Sequence, residues 1–104
     1  MNESTIRVSI QLAASAWGCR LFRNNVGVFY TRTGELTRCG LCEGSSDLIG
    51  WTKDGRFLAI EVKHGNGKPT PEQEHFIASV RKAGGVAGIA YSVSDFTKIL
   101  LGEK

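Results

Sequence analysis

Long apolar runs are missing from this chain. No stretch of about 18 consecutive apolar residues occurs, so the sequence offers no candidate membrane-spanning helix. The N-terminus also lacks the charged-then-apolar layout of a secretory leader. Cysteine is sparse: Cys19, Cys39 and Cys42 cannot all pair within one chain, and the composition is not that of a disulfide scaffold. A soluble chain in a reduced, cytoplasmic setting is therefore expected, with no membrane partner. Internal repeats and low-complexity segments are absent too. The 104 residues, of ordinary apolar content, fit one domain spanning 1–104 with a modest core.

Charge of one sign does not dominate either. Thirteen Lys and Arg oppose ten Asp and Glu, a formal +3. The excess sits in residues 1–42, where Arg7, Arg20, Arg23, Arg32 and Arg38 face only Glu3 and Glu35; beyond them eight basic residues balance eight acidic ones. A basic segment made only of arginine suits phosphate contact, because the guanidinium fork matches phosphate oxygens. Charge alone favours the plainer reading, a solvated face.

Ile6, Ile10, Ala13, Ala14 and Trp17 recur at helical spacing over residues 3–17, and Gly18 ends that helix. "CRLFRNN" reads as a short strand and "VGVFYTRTGELTRCGLCEGSS" as a long connection, of the kind that is usually functional or mobile. "DLIGWT" and "RFLAIEVK" read as strands joined by the three-residue loop Lys53-Asp54-Gly55, with glycine where positive φ is needed. Thr70 then caps a helix that has Pro71 at its first position and Gly84-Gly85 at its end. "VAGIAY" is a further buried strand and "SDFTKILLG" a closing helix, giving the order helix, three strands, helix, strand, helix.

A loop centred on Asp54 pairs Thr52 with Arg56 and, continuing outward, Asp47 with Glu61. Opposed residues of an antiparallel pair have Cβ atoms about 5 Å apart. Period-two alternation adds Lys63 to that face and turns Leu58, Ile60 and Val62 into the core. Two opposed carboxylates repel unless something positive lies between them, and a divalent cation meets that need. Mg²⁺ takes oxygen ligands, commonly one or two carboxylates with water and substrate phosphate. The plainer alternative is a salt bridge from Lys63 to either acid. Against it stand Gly44, Gly50 and Gly65, which flank the three groups and are expected to leave room for a bulky ligand.

Asp47 followed, after a hairpin, by Glu61-Val62-Lys63 on this order of elements resembles the PD-(D/E)XK nuclease superfamily. Within it the chain is similar to the VRR-NUC branch, the virus-type replication and repair nucleases, through "RNNVG", "GSSDLIGW" and "EVKHGNGKPTPEQ"; the likeness runs from Glu3 to about Tyr91. The resemblance implies a restriction-endonuclease-like α/β fold, an αβββαβ core with a mixed sheet flanked by helices. It also implies that Asp47 and Glu61 ligate Mg²⁺ or Mn²⁺, with the Val62 carbonyl completing the protein shell, and that Lys63 is the catalytic lysine. Glu3 corresponds to the acid of the first helix and Gln73 to a glutamine facing the site. Ser46 departs from the proline of the superfamily name. The implied activity is a metal-dependent endonuclease acting on branched or double-stranded DNA, four-way (Holliday) junctions above all, as a homodimer and without an organic cofactor. Arg20, Arg23, Arg32, Arg38 and Lys68 are its candidate phosphate contacts.

Several of these residues carry a second reading. Thr70-Pro71-Glu72-Gln73 is equally a capping box, and Glu3 an acid favoured at a helix N-terminus. Cys39-Gly-Leu-Cys42 has zinc-knuckle spacing, but neither His64 nor His75 follows at a recognised interval. Gly65-Asn66-Gly67-Lys68 lacks the Walker spacing and reads instead as a mobile loop near DNA. Trp17 and Trp51 default to core or interface packing. A nuclease for flaps, single strands or nicks, and a non-catalytic nucleic-acid-binding module, remain the alternatives to a junction enzyme.

Overall fold

The computed structural model describes residues 2–102. Its elements run α1 (Glu3–Ala16), β1 (Arg20–Arg23), β2 (Gly27–Tyr30), β3 (Leu36–Cys39), β4 (Leu48–Trp51), β5 (Phe57–Val62), α2 (Pro71–Lys82), β6 (Val86–Ala90) and α3 (Val93–Leu100). Four strands form one sheet in the order β1-β4-β5-β6, antiparallel except for the parallel β5-β6 pair that α2 connects. This is the expected αβββαβ core with a mixed sheet and helices on both faces. Among the described residues no helix is long and apolar enough to cross a membrane.

One face of the sheet carries α1 and α3. Leu58, Ile60 and Val62 point there and are fully buried with Ile10, Ala14, Leu48 and Phe96, and Ile6 packs against them. The other face carries α2, whose Ile77 and Val80 meet Ala59 and Ala87. Covering both faces explains why β5 is almost continuously apolar. Glu61 is the exception in that run.

The β4-β5 hairpin has the register expected from its loop. Trp51 faces Phe57 and Leu48 faces Ile60; the ladder ends there, and the same register carried one residue further sets Asp47 opposite Glu61. Gly55 adopts φ +87°, a conformation that side-chain-bearing residues rarely take. Buried Thr52 fixes the turn: its hydroxyl donates to Asp54 and accepts from the Arg56 N–H at 3.0 Å, while the Thr52 N–H donates to the Arg56 carbonyl at 2.8 Å.

The long connection after β1 differs from expectation. It is not an irregular loop but contains a second hairpin, β2-β3, paired through Gly27↔Cys39 and Tyr30↔Leu36 and separate from the main sheet. Val28, Tyr30 and Leu36 share one face with Arg38, while Phe29 and Thr37 share the other. Of the core and interface packing expected of the tryptophans, the core half does not hold: Trp17 caps α1 and is exposed, and Trp51 lies exposed beside Phe22, with ring centroids 5.5 Å apart.

Candidate active site

The site forms at the C-terminal end of β5. Alternation sends Ile60 and Val62 into the α1-α3 core and leaves Glu61 and Lys63 on the α2 side of the sheet. There the sheet edge opens into a cavity of about 510 Å³ lined by Arg23, Asn25, Phe29, Asp47, Glu61 and Gln73, among others. That volume lies within the range of ligand-binding clefts.

Glu61 is the most costly residue in this arrangement. Its side chain is only 3% exposed, and Oε1 has no hydrogen-bond partner. Oε2 lies 3.6 Å from Lys63 Nζ, whose side chain is itself mostly covered. Burial, then the negative charge of Asp47, pushes the Glu61 carboxyl up to about 7, against the opposing pull of Lys63. An ionised carboxylate so placed lacks compensation from this chain alone, which is the signature of a position that awaits a cation or holds a proton.

Asp47 is held from two sides. Its Oδ2 accepts from the Val62 N–H at 3.1 Å, and its backbone carbonyl accepts from the Asn24 N–H at 2.7 Å. Asn24 is buried and ties three segments together. Its Nδ2 donates to Ser45 Oγ (2.8 Å) and the Ser46 carbonyl (2.9 Å), and its Oδ1 accepts from the Leu41 N–H (2.9 Å). The residues just before Asp47 are thereby fastened to the end of β1. In the sequence Asn24 falls within "CRLFRNN" and "RNNVG", with nothing local to mark it as a clamp. An Asn after a short strand, followed about twenty residues later by two serines before an acid, is the signal, but the pairing depends on long-range contact.

Gln73 fulfils both of its readings geometrically. Its Oε1 accepts from the Thr70 N–H at 2.9 Å and Thr70 Oγ1 accepts from the Gln73 N–H at 3.2 Å, a complete capping box, yet the residue also lines the cavity. Glu3 is not brought to the cavity wall. Its carboxylate meets Arg7 at 3.5 Å and His64 Nδ1 at 3.3 Å instead.

Of the five basic residues singled out as phosphate contacts, Arg23 lines the cavity. Arg20 bonds Ser15 Oγ at 3.0 Å, Arg32 lies between β2 and β3, and Arg38 is on the face of β3 opposite Phe29. Lys68 is exposed on the loop after β5, which Tyr91 anchors by donating its hydroxyl to the Gly67 carbonyl at 2.7 Å.

Two of the three glycines flanking the site make room for backbone. A Cβ on Gly50 would stand 2.0 Å from the Arg20 carbonyl oxygen, and one on Gly44 2.7 Å from the Glu72 carbonyl oxygen. Both admit neighbouring backbone, but Gly44 also lines the cavity beside Asp47 and Glu61, as expected of it, whereas Gly50 does not. Gly65 alone of the three has open space beside it.

The residues present fit a divalent cation. Asp47 and Glu61 supply oxygen donors, one of them buried and unpartnered, and among the described residues no group of three or more His, Cys, Asp or Glu side chains converges into a closed cage. Two carboxylates with the remaining positions left to water and phosphate is the donor set that Mg²⁺ favours. Cys19, Cys39 and Cys42 are all free.

Comparison with known proteins bears on this arrangement. The family described as the VRR-NUC domain matches residues 32–94, more than half of the chain, a segment that includes Asp47, Glu61, Lys63 and Gln73 but not α1 or β1. A solved structure of a "VRR_NUC domain protein" aligns with a TM-score of 0.57 at 18% identity, over 98% of this chain and 87% of that one. That likeness establishes the fold. No curated protein matches the chain.

Proposed function

Because the chain belongs to the VRR-NUC family and has its nuclease-type fold, we propose that it is a metal-dependent, structure-specific DNA endonuclease. Its preferred substrates are branched DNA, four-way junctions above all, and it works as a homodimer. The observation that carries the catalytic part is the buried Glu61, with one oxygen unpartnered, opposite Asp47 and beside Lys63.

Asp47 and Glu61 would hold Mg²⁺ or Mn²⁺, with the Val62 carbonyl as the further protein ligand. Bound there, the ion supplies Lewis-acid chemistry, polarising the phosphodiester and making water a better nucleophile. The chain's own groups do the rest. The Val62 N–H, engaged by Asp47 Oδ2, fixes the direction of that carboxylate. Lys63 presents its ammonium donors on the same face, where they orient the attacking water or neutralise charge on the phosphoryl oxygens. Arg23 lies at the cavity wall, placed to hold a neighbouring phosphate. Gln73 offers its amide to the same cavity while its oxygen caps α2.

The branched-DNA assignment rests on the resemblance to stand-alone nucleases of this branch; the basic first half of the chain supports phosphate contact with DNA of any form. The homodimer rests on exposed apolar side chains at Phe22, Val28, Tyr30, Leu36 and Trp51, and on the frequency of two-fold dimers, which present two sites to two strands. The test is cleavage of labelled four-way junction, flap, single-strand and duplex DNA with Mg²⁺, Mn²⁺ or chelator, using wild type beside Lys63→Ala. Paired symmetric nicks lost with chelator and in the variant are expected. Cleavage of flaps or single strands only would retain the site and discard the junction assignment. Folded protein that binds DNA and cuts none of it under any metal would leave a binding module.

A further inference from the structure

The β2-β3 hairpin packs chiefly on itself, and its aromatic residue nearest the site has no place in either core cluster. Phe29 is 47% exposed, yet it lines the cavity that contains Asp47 and Glu61. Its ring lies across Gly27: a Cβ there would stand 3.2 Å from Phe29 Cε2 and Cζ. The missing side chain lets the ring lie close against the strand, and the cavity is left beside it. Arg23 and Asn25 share the wall. An aromatic ring, a guanidinium and an amide at one carboxylate-bearing cavity are complementary to a nucleobase and its attached phosphate.

We propose that Phe29 is a specificity-determining residue that stacks on an unpaired or unstacked nucleobase next to the scissile phosphate. This rests on the reading of the cavity as the DNA-cleaving site. In an intact duplex both faces of each base are covered by neighbours, so the ring has no free π-face to meet. A nucleotide at a branch, flap or end has lost a stacking neighbour and offers one. Stacking is tolerant of base identity, so the hairpin selects DNA by local structure rather than by sequence. The opposite face of the hairpin, with Val28, Tyr30, Leu36 and Arg38, takes no part in this contact.

The experiment compares the full-length chain with Phe29→Ala, Phe29→Leu and Phe29→Trp. Two readouts are taken: fluorescence of 2-aminopurine placed at the branch of a four-way junction, in chelator so that nothing is cut, and the ratio of cleavage rates on branched and linear duplex DNA. Wild type and Phe29→Trp are expected to quench the probe and to keep the ratio. Phe29→Ala and Phe29→Leu lose the quench and about 5- to 150-fold of the ratio, the factor that one base-aromatic stack is worth. All variants should melt with wild type, since the residue is outside the core. Wild-type behaviour of Phe29→Leu would show that apolar bulk suffices and overturn the proposal, as would an equal fall on both substrates. A wild type that cuts no DNA defeats the nuclease reading instead, and the fluorescence alone then decides the role of Phe29.

Discussion

Glu61 makes the folded state sensitive to pH in a direction opposite to that of a salt-bridged acid. Its carboxyl ordinarily titrates near 4.5, and in the folded chain it is pushed up to about 7 by burial, then by Asp47. Between those values the folded state holds a proton that the unfolded state has released. The stabilising contribution is therefore fully present below pH 4.5 and is lost as pH rises through 7. The gap corresponds to roughly 3–4 kcal/mol at most, at about 1.4 kcal/mol per pH unit, and solvent screening at the open side of the cavity lowers the expected value to about 2 kcal/mol.

Glu61→Gln removes the titration while keeping a neutral side chain of the same shape. Urea unfolding of both proteins from pH 4.5 to pH 8 in chelator reads the effect of the Glu61–Asp47 pair, because acids away from residue 61 contribute alike to the two profiles. The variant should match wild type at the acid end and exceed it by about 2 kcal/mol at the alkaline end. Adding Mg²⁺ should reverse the order: the cation replaces the proton, so wild type gains stability, and the gain grows as pH rises. Parallel profiles in chelator would refute the account of Glu61 as a buried acid without adequate compensation. A magnesium effect as large in the variant as in wild type would refute its role as a ligand.

Three further substitutions test the surroundings. Asn24→Ala leaves the Ser46 carbonyl and the Leu41 N–H without partners; it should cost about 2–4 kcal/mol in urea unfolding and shift the magnesium midpoint of cleavage upward as Asp47 loses its anchor. Ser46→Ala should raise stability by about 1 kcal/mol in the same assay, since the Ser46 Oγ is buried with no hydrogen-bond partner. Gln73→Glu preserves a capping box, so thermal melting should move by no more than the equivalent of about 0.5 kcal/mol, yet a third carboxylate at the cavity should weaken DNA binding, measured by anisotropy in chelator.

What the sequence made legible was local chemistry that propagates. One glycine at a loop with room for three residues determines the whole β4-β5 register, because pairing is a sum rule: residues that add to the same number face each other. Asp47 opposite Glu61 follows from Thr52 opposite Arg56 without any knowledge of the rest of the fold. The capping box at Thr70 is local in the same sense. The β2-β3 hairpin was not legible because "VGVFYTRTGELTRC" lacks the apolar alternation of a half-buried strand. Its strands face solvent on most sides, and its loop carries only Gly34 as a turn signal. Gly50 is the opposite case. A glycine beside three charged residues suggests access for a ligand, whereas its neighbour is the Arg20 carbonyl of a strand thirty residues earlier, which no local pattern reveals.

The contrast between Asn24 and Glu61 explains how a chain this small sustains such a site. Asn24 is a buried polar residue whose side chain is used at both ends, and it binds the loop before Asp47 to β1. Glu61 is a buried polar residue left incomplete, directly after the apolar run Phe57–Ile60 of β5. Were both satisfied within the chain, no cation or substrate would gain by entering. Were both incomplete, the sheet edge would not hold its shape against the repulsion of Asp47 and Glu61. Stability contributed by the asparagine clamp offsets the strain concentrated at the carboxylates, so loss of Asn24 and restoration of Glu61 to neutrality should partly cancel in the Asn24→Ala, Glu61→Gln double variant. That cancellation is expected at pH 8 and not at pH 5, where Glu61 is already protonated.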